Sequence, residues 1–179
     1  GAREAHDEVV RLAAMLKAPV AYTFKAKMEV QYDNPYEIGM TGLLGLPSAY
    51  GAMHESDLLL LLGTDFPYDC FLPSECRIAQ VDIRPERIGR RARVELGLAG
   101  DVKETLQALF PMLRERSDRV FLDRQLKIYG ALCDDMAAVA SKRGSAGNIA
   151  PEYVATLIDT LASDSAIFTV DTGMCCVWG

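Results

Sequence analysis

The sequence is poor in the residues that most often form metal and hydrolytic sites. Only two histidines occur among 179 residues, His6 and His54, and the five cysteines form no C-x-x-C pair. A zinc site is therefore not expected, and an odd number of cysteines favours a reducing compartment over a disulfide scaffold. The motifs G-x-S-x-G and H-E-x-x-H are absent too, so the common serine hydrolase and zinc peptidase signatures are excluded.

Long apolar runs and a basic surface are missing as well. No segment approaches the roughly 20 apolar residues that a membrane-spanning helix needs. The net charge of −6 leaves no basic stripe to neutralise nucleic-acid phosphates. One basic cluster, interrupted by acidic residues, is typical of a solvated face; its members are Arg84, Arg87, Arg90, Arg91 and Arg93. We expect a cytoplasmic protein without a transmembrane segment or a nucleic-acid partner.

Apolar periodicity predicts alternating helices and strands. Residues 4–17 carry apolar side chains at helical spacing, and 20–24 follow as a short strand. The five leucines between Asp57 and Gly63 are the pattern of a strand buried on both faces. This alternation indicates an α/β fold with a mostly parallel sheet. Further elements expected are a helix at 47–55, strands at 77–83 and 94–99, and a helix opened by a capping box at Asp101 and Glu104.

The last part of the chain differs in character. Apolar residues between Phe121 and Met136 predict a helix, and 144–148 read as a linker. Pro151 is placed to begin another helix, and residues 166–170 (AIFTV) predict a buried strand. Because one helix and one strand cannot bury a core, we expect the beginning of a second, truncated α/β unit.

Candidate ligand sites lie where parallel strands end, because open parallel sheets bind ligands beyond their carboxyl edge. The candidates are the segment 63–68, Asp82, the helix start at Gly100 and Asp101, and the glycine-rich loop 39–45. Structural roles are the alternative: Gly63 in a turn, Asp101 as a helix cap, and Asp82 bonded to nearby loop N–H groups. No complete G-x-G-x-x-G supports an NAD fingerprint.

Six stretches together resemble the thiamine-diphosphate-dependent enzymes of the pyruvate oxidase and pyruvate:quinone oxidoreductase type, in family order and spacing. These stretches are AHDEVVRLAAMLKAPV, YDNPYEIGMTGLLG, DLLLLLGTDFPY, RIAQVDIRPERIG, LAGDVKETLQALFP and IFTVDTG…VW. The resemblance implies a doubly wound, Rossmann-like sheet. It assigns residues 1–116 to a central FAD-binding-like domain, 117–149 to a helical connection and linker, and 150–179 to the truncated start of the thiamine-diphosphate-binding domain.

The resemblance also implies a set of cofactor-binding residues. The flavin would be lined by Thr41, Gly42, Leu43 and Leu44. Its ribityl-diphosphate portion would be cradled by Gly63, Thr64, Asp65, Phe66, Pro67 and Tyr68. The adenosine end would meet Asp82 and Ile83, with Gly100 and Asp101 nearby, and a loop with Thr172 and Gly173 would approach thiamine diphosphate. No catalytic or metal-ligating residue is expected within the chain.

In the full-length enzyme the resemblance implies oxidative decarboxylation of a 2-oxo acid, with pyruvate the expected substrate. Thiamine diphosphate, Mg²⁺ and FAD would be the cofactors, in a homo-oligomer that is peripheral at the membrane if electrons pass to a quinone. The chain alone would be inactive. Two alternatives stay open: a non-redox decarboxylase or carboligase whose central domain is a spacer or binds ADP or a coenzyme A moiety, and an interaction module without a ligand.

Overall fold

The computed structural model describes residues 2–144, 148–171, 173–174 and 177. The chain divides into two compact units, residues 1–129 and 130–179, and each is described by itself. The first unit holds every strand of the described residues. The expected linker falls largely on residues 145–147, which lie outside the described part.

The first unit begins with a short 3₁₀ turn and the helix α1 (His6–Leu16). Its buried residues Val9, Leu12 and Ala13 recur at helical spacing and form its inner face. Lys17 caps the helix: its N–H donates to the carbonyl of Ala13, and its left-handed conformation (φ 52°) turns the chain out of the helix. The strand β1 (Val20–Tyr22) follows, within the range that the sequence predicts.

The strand β2 (Glu37–Met40) was not expected, because its residues fall partly in the predicted glycine-rich loop. It runs parallel to β1, with Val20 opposite Glu37 and Tyr22 opposite Met40. The short helix α2 (Lys27–Val30) lies between these strands in the chain, and α3 (Pro47–Glu55) follows β2 at the predicted residues. A strand of four residues that includes a glycine has little β propensity of its own, so whether it forms depends on pairing with a neighbouring strand.

The second sheet contains β3 (Leu58–Leu62), β4 (Arg77–Asp82) and β5 (Leu96–Ala99), in that order. Both pairings are parallel, with Leu60 opposite Ala79 and Val81 opposite Leu98. These strands agree with the three predicted from the sequence, and the α/β class with parallel sheets is confirmed. The hydrogen-bonded ladders, however, form a two-stranded and a three-stranded sheet rather than one.

The helix α4 (Val102–Leu109) starts at the predicted cap. Asp101 accepts a hydrogen bond from the backbone N–H of Glu104 at 3.1 Å, which satisfies one donor of the first turn. Val102 and Leu106 are buried in the core of the unit, and a 3₁₀ turn (Phe110–Met112) follows the helix. The core is formed by Ala5, Val9, Leu12, Tyr22, Val30, Val81, Val102, Leu106 and Phe110.

The five-leucine strand β3 is only half-buried, which corrects the expectation that both its faces are covered. Leu58 is 49% exposed, whereas Val81 on the neighbouring β4 is 2% exposed. The reason is that β3 has a hydrogen-bonded neighbour on one side only, and its other edge opens onto a cavity. Burial on both faces requires strands and helices on both sides of a strand.

The helix α5 (Val120–Ala140) begins in the first unit, and α6 (Pro151–Leu161) belongs to the second. The strand expected at residues 166–170 is wrong: these residues form no strand, and Ile167 is 90% exposed. A strand exists through hydrogen bonds to a neighbour, and the described residues of the second unit include no other strand. No helix within the described part of the chain is long and apolar enough to cross a membrane.

We expect the substitution Gly51→Ala to stabilise the protein by about 0.5–1 kcal/mol, because a helix-interior glycine costs backbone entropy. Gly51 lies within α3, and a methyl group there would meet no atom within 4 Å. Gly45→Ala is the matched control. Its methyl carbon would lie 2.7 Å from the backbone of Gly42, so this variant loses stability. Denaturant unfolding of both variants checks the pair, and destabilisation by Gly51→Ala would contradict it.

Candidate functional site

The carboxyl ends of β3, β4 and β5 meet at a small recess of about 70 Å³. Parallel pairing brings the three strand ends to one edge of the sheet, and α4 begins at the same place. The sequence-predicted candidates at these three strand ends therefore come together. The lining consists of Gly63, Asp82, Ile83, Gly100, Asp101 and Val102.

Backbone hydrogen bonds tie the strand ends to one another. The N–H of Gly63 donates to the carbonyl of Val81 at 2.7 Å, and the N–H of Gly100 donates to the carbonyl of Asp82 at 3.0 Å. Gly63 has a positive φ of 60°, a conformation that suits glycine and turns the chain away from the sheet. The hydrogen bonds that pair the strands thus continue into the walls of the recess.

Two carboxylates line the recess, and each already performs a structural role. Asp82 is 4% exposed, and its Oδ1 accepts a hydrogen bond from the N–H of Arg84 at 2.9 Å. The Oδ1 of Asp101 caps α4. The two structural roles that the sequence left open, a bond from Asp82 to a loop N–H and a helix cap by Asp101, are therefore both present. Because a carboxylate has two oxygens that accept several hydrogen bonds, these roles leave acceptor capacity for a ligand.

The glycine-rich loop after β2 packs on the segment after β3. Gly42 has φ of 109°, and a methyl group on it would lie 3.4 Å from Phe66 and 3.7 Å from Tyr68. The N–H of Gly45 donates to the carbonyl of Gly42 at 2.8 Å, which closes a tight turn. Leu43, at the tip, is 66% exposed. The predicted flavin-lining loop and the predicted diphosphate segment are therefore neighbours.

Thr41 and Phe66 anchor these two segments. The N–H of Thr41 donates to the carbonyl of Tyr22 at 2.8 Å, and its hydroxyl contacts the sulfur of Met53 at 3.6 Å. Phe66 is buried, and its ring meets that of Tyr68 edge to face. Thr64 sits between Gly63 and this aromatic pair, half-buried, while Pro67 is exposed and Leu44 half-buried.

Asp65 binds two arginines from the loop that follows β4. Arg90 Nη1 lies 3.2 Å from its Oδ2 and Arg91 Nε lies 3.1 Å from its Oδ1. The hydrogen bond from Arg91 and the positive charges of Arg91, Arg90 and Arg87 hold the pKa of Asp65 below its ordinary value of 3.8, against the opposing effect of burial. Arg90, whose side chain is 55% exposed, still belongs to a solvated face as expected, whereas the side chain of Arg91 is 29% exposed and packs against Asp65.

Sequence reasoning missed Arg90 and Arg91 as part of this site. A signal was available, because both follow the end of a predicted strand and so belong to the same edge of the sheet as the segment 63–68. Acidic residues interrupt the basic cluster, and this pattern favoured the interpretation as a solvated face. The pairing brings positive charge to a segment that contains Asp65.

A larger cavity of about 550 Å³ lies between the two sheets. It is lined by β1, by all of β3, and by residues of α1 and α3, nearly all of them apolar. Thr41, Thr64 and Phe66 border it as well. The cavity thus reaches the candidate site from the interior of the unit.

The remaining predicted residues belong to the end of the chain. Thr172 lies outside the described residues, and Gly173 is an exposed residue of the second unit. Within the described ranges, no group of three or more histidine, cysteine, aspartate or glutamate side chains is arranged to hold a metal ion.

Comparison with known proteins matches residues 1–109 to the central domain of thiamine pyrophosphate enzymes. The putative thiamine pyrophosphate-containing protein YdaP of Bacillus subtilis is 32% identical over 99% of this chain and 31% of its own length. An acetolactate synthase of Mycobacterium avium is 29% identical over 98% of this chain and 29% of its own. A pyruvate oxidase of Lactiplantibacillus plantarum is 24% identical over 97% of this chain and 29% of its own length. The chain spans about a third of such relatives.

We expect Asp65→Asn to lower stability at neutral pH by about 0.5–1 kcal/mol, as for a partly exposed ion pair. The folded-state pKa of Asp65 is lowered, so its contribution is fully present above the unfolded-state pKa and is lost as pH falls through the folded-state value. Thermal unfolding of wild type and variant between pH 7 and pH 2 should therefore converge below about pH 4.

Arg91→Gln removes one of the two partners and leaves Arg90, so its loss of stability at neutral pH should be smaller than that of Asp65→Asn and should also disappear at low pH. Arg91→Lys keeps the charge but loses the Nε donor, so its stability at neutral pH should lie between those of wild type and Arg91→Gln. A difference between wild type and Asp65→Asn that stays constant down to pH 2 would contradict the ion-pair interpretation.

Proposed function

The chain belongs to the thiamine pyrophosphate enzyme family, whose central domain it contains, and on this basis we propose that the domain binds FAD along the carboxyl edge of its sheets. The observation that carries the proposal is the recess where Gly63, Asp82 and Asp101 converge, at the start of the segment 63–68 whose Phe66 and Tyr68 lie against the glycine-rich loop. Crevices at the carboxyl ends of parallel strands are the usual nucleotide sites of such folds.

The adenosine portion suits the recess of about 70 Å³, which has room for part of a nucleotide rather than a whole dinucleotide. Asp82 and Asp101 offer acceptors to ribose hydroxyls and to the adenine amine. A phosphate at this point would be repelled by both carboxylates. The charges therefore favour the sugar or the base here and the diphosphate elsewhere.

The diphosphate suits the segment 63–68. Asp65 alone would repel phosphate, but the guanidinium groups of Arg90 and Arg91 lie against it and make this trio of side chains net positive. Arginine forks bind phosphate oxygens well. The tight turn at Gly63 adds backbone that a ligand can approach closely.

The flavin ring suits the loop 41–44. Gly42 keeps the backbone free of a side chain where it faces Phe66 and Tyr68, and the tip residue Leu43 offers an apolar surface. Apolar and aromatic side chains with a few placed polar groups are typical of sites for flat cofactors. The three portions of FAD thus follow one continuous path from Asp82 to Leu43.

We propose further that the full-length protein uses thiamine diphosphate and Mg²⁺ to decarboxylate a 2-oxo acid, with pyruvate the expected substrate, and passes the electrons to FAD. These cofactors supply the electron sink and the electron acceptor, while the protein supplies binding and orientation. The activity would need the full-length protein, and Thr172 and Gly173 are the residues of this chain assigned to the thiamine diphosphate side. The similarity to a pyruvate oxidase supports this proposal.

A second candidate function is carboligation of the acetolactate synthase type. The similarity to an acetolactate synthase, 29% against 24% for the pyruvate oxidase, favours it. Both candidates share the FAD site, and they differ in whether the flavin takes up electrons from the substrate.

In the full-length protein we expect Asp82→Asn to weaken FAD binding about tenfold, because a hydrogen bond to a charged acceptor contributes about 1.5–3 kcal/mol. Asparagine keeps the side-chain oxygen that accepts from Arg84, so the turn survives while the charge is lost. Fluorescence titration of the apoprotein with FAD measures the effect. Glu95→Gln, exposed just before β5 at the opposite edge, is the matched control, and equal affinities of the two variants would refute the assignment of Asp82.

Anaerobic addition of pyruvate to the FAD-loaded, full-length enzyme separates the two functions. An oxidase bleaches its flavin absorbance in one turnover, because electrons from the decarboxylated substrate reduce it. A carboligase leaves the flavin oxidised and yields a carbon–carbon coupled product. Persistent flavin absorbance together with that product would overturn the oxidase proposal and establish the second candidate.

A further inference from the structure

The loop 41–46, which contains the residues proposed to line the flavin, is attached to the fold at its two ends. It joins the end of β2 to the start of α3. The N–H of Leu46 donates to the carbonyl of Met40 at 2.8 Å, so the loop returns to the strand that it leaves. The tip residue Leu43 is 66% exposed. The position of the loop therefore depends on how β2 and α3 are held.

The helix α5 bonds to both of these elements. The hydroxyl of Tyr129 in α5 donates to Oε1 of Glu37, the first residue of β2, at 2.8 Å. The amide Nε2 of Gln125 donates to Oε2 of Glu55, the last residue of α3, at 2.9 Å. Arg124 donates to the same oxygen of Glu55 at 2.6 Å. One helix thus connects the element before the loop with the element after it.

The ring of Tyr129 also lies against the backbone of β2. A methyl group on Gly39 would lie 3.0 Å from ring carbon Cε2 of Tyr129 and 2.7 Å from Cδ1 of Leu46. Gly39 has φ of 93°, a conformation that suits glycine. The absence of a side chain therefore lets the strand, the end of the loop and the helix approach one another two residues before Thr41.

Glu37 links the helix to the neighbouring strand as well. Its Oε1 accepts a second hydrogen bond, from the hydroxyl of Tyr22 in β1, at 2.8 Å. Tyr22 is 6% exposed, and its carbonyl accepts from the N–H of Thr41, the first loop residue, at 2.8 Å. One carboxylate oxygen therefore connects α5 with both strands of the two-stranded sheet, and β1 in turn holds the start of the loop.

Burial alone does not explain the residue types of these contacts. Gln125 is 1% exposed, and a leucine of similar size would be buried there without an amide that needs a hydrogen-bond partner. Buried polar groups whose hydrogen bonds are satisfied fix one arrangement of the elements that they join. The polar contacts of Gln125 and Tyr129 therefore specify where α5 lies on α3 and β2.

We propose that α5 holds the loop 41–46 in the position that receives the flavin, with Tyr129 and Gln125 as the positioning residues. Both act through Glu37, Gly39 and Glu55 rather than through contact with the cofactor. The receipt of a flavin rests on the proposed function, whereas the holding of the loop does not.

Amide hydrogen exchange at single-residue resolution on the full-length apoprotein tests the proposal. In Tyr129→Ala and in Gln125→Leu, the amides of Gly45 and Leu46 should exchange about tenfold faster than in wild type, because each variant loses a hydrogen bond to a carboxylate. Tyr129→Phe keeps the ring against Gly39 and should retain most of the protection.

A matched control separates the holding of the loop from a general loss of stability. Leu122 is fully buried on α5, about two turns before Tyr129. The substitution Leu122→Ala therefore removes packing from the same helix while both hydrogen bonds remain, and it should leave the exchange of the loop unchanged. The amides of β4 should stay protected in every variant that remains folded.

The visible circular dichroism of the FAD-loaded, full-length protein supplies a second measurement. Tyr129→Ala should shift the flavin bands, because the loop that contacts the ring has moved, whereas Tyr129→Phe and Leu122→Ala should leave them in place. If the unaltered protein binds no FAD, the proposed function fails, and the exchange of Gly45 and Leu46 still decides whether α5 holds the loop.

Unchanged exchange of the loop in Tyr129→Ala and Gln125→Leu would overturn the proposal. An equal acceleration by Leu122→Ala would overturn it too, because the effect would then belong to the packing of α5 in general. If Tyr129→Ala also loses the protection of β4, Tyr129→Leu, which fills more of the space, takes its place under the same criteria.

Discussion

The parallel pairing of β3 with β4 and of β4 with β5 is the constraint on which the candidate site depends. Parallel strands bring their carboxyl ends to one edge, so Gly63, Asp82 and Gly100 meet although long stretches of chain separate them. The hydrogen bonds from Gly63 to Val81 and from Gly100 to Asp82 extend that pairing into the site. Backbone hydrogen bonds like those of the sheet therefore hold the walls of the recess, and the loops around it supply charge and contact surface.

Much of the fold follows from local physics, and the exceptions share one cause. The leucine strand, the strand ending at Asp82 and the cap at Asp101 are predicted correctly, because each carries a strong local pattern of apolar spacing or capping. The strand β2 escaped notice and the strand at 166–170 was expected in error. Whether either segment forms a strand depends on the presence of a neighbouring strand, and the local sequence does not reveal that neighbour.

The candidate site shows the same division. Strand ends and glycine positions could be predicted, since they depend on where elements stop, and the structural roles of Asp82 and Asp101 could be named beforehand. The ion pairs of Asp65 with Arg90 and Arg91 could not, because they join loops 25 residues apart or more. Their consequence for function is large, since they change the sign of charge beside the segment proposed to hold the diphosphate.

Titration of the full-length apoprotein with FAD, ADP and NAD, followed by thermal unfolding, tests the central claim most directly. The proposal predicts that FAD at 100 times its dissociation constant stabilises the fold by about 2.7 kcal/mol. ADP and NAD at the same concentration should each stabilise it clearly less, because they share with FAD only the adenosine and diphosphate portions. Equal stabilisation by ADP and FAD, or none by any of the three, would contradict a flavin site at this edge of the sheet.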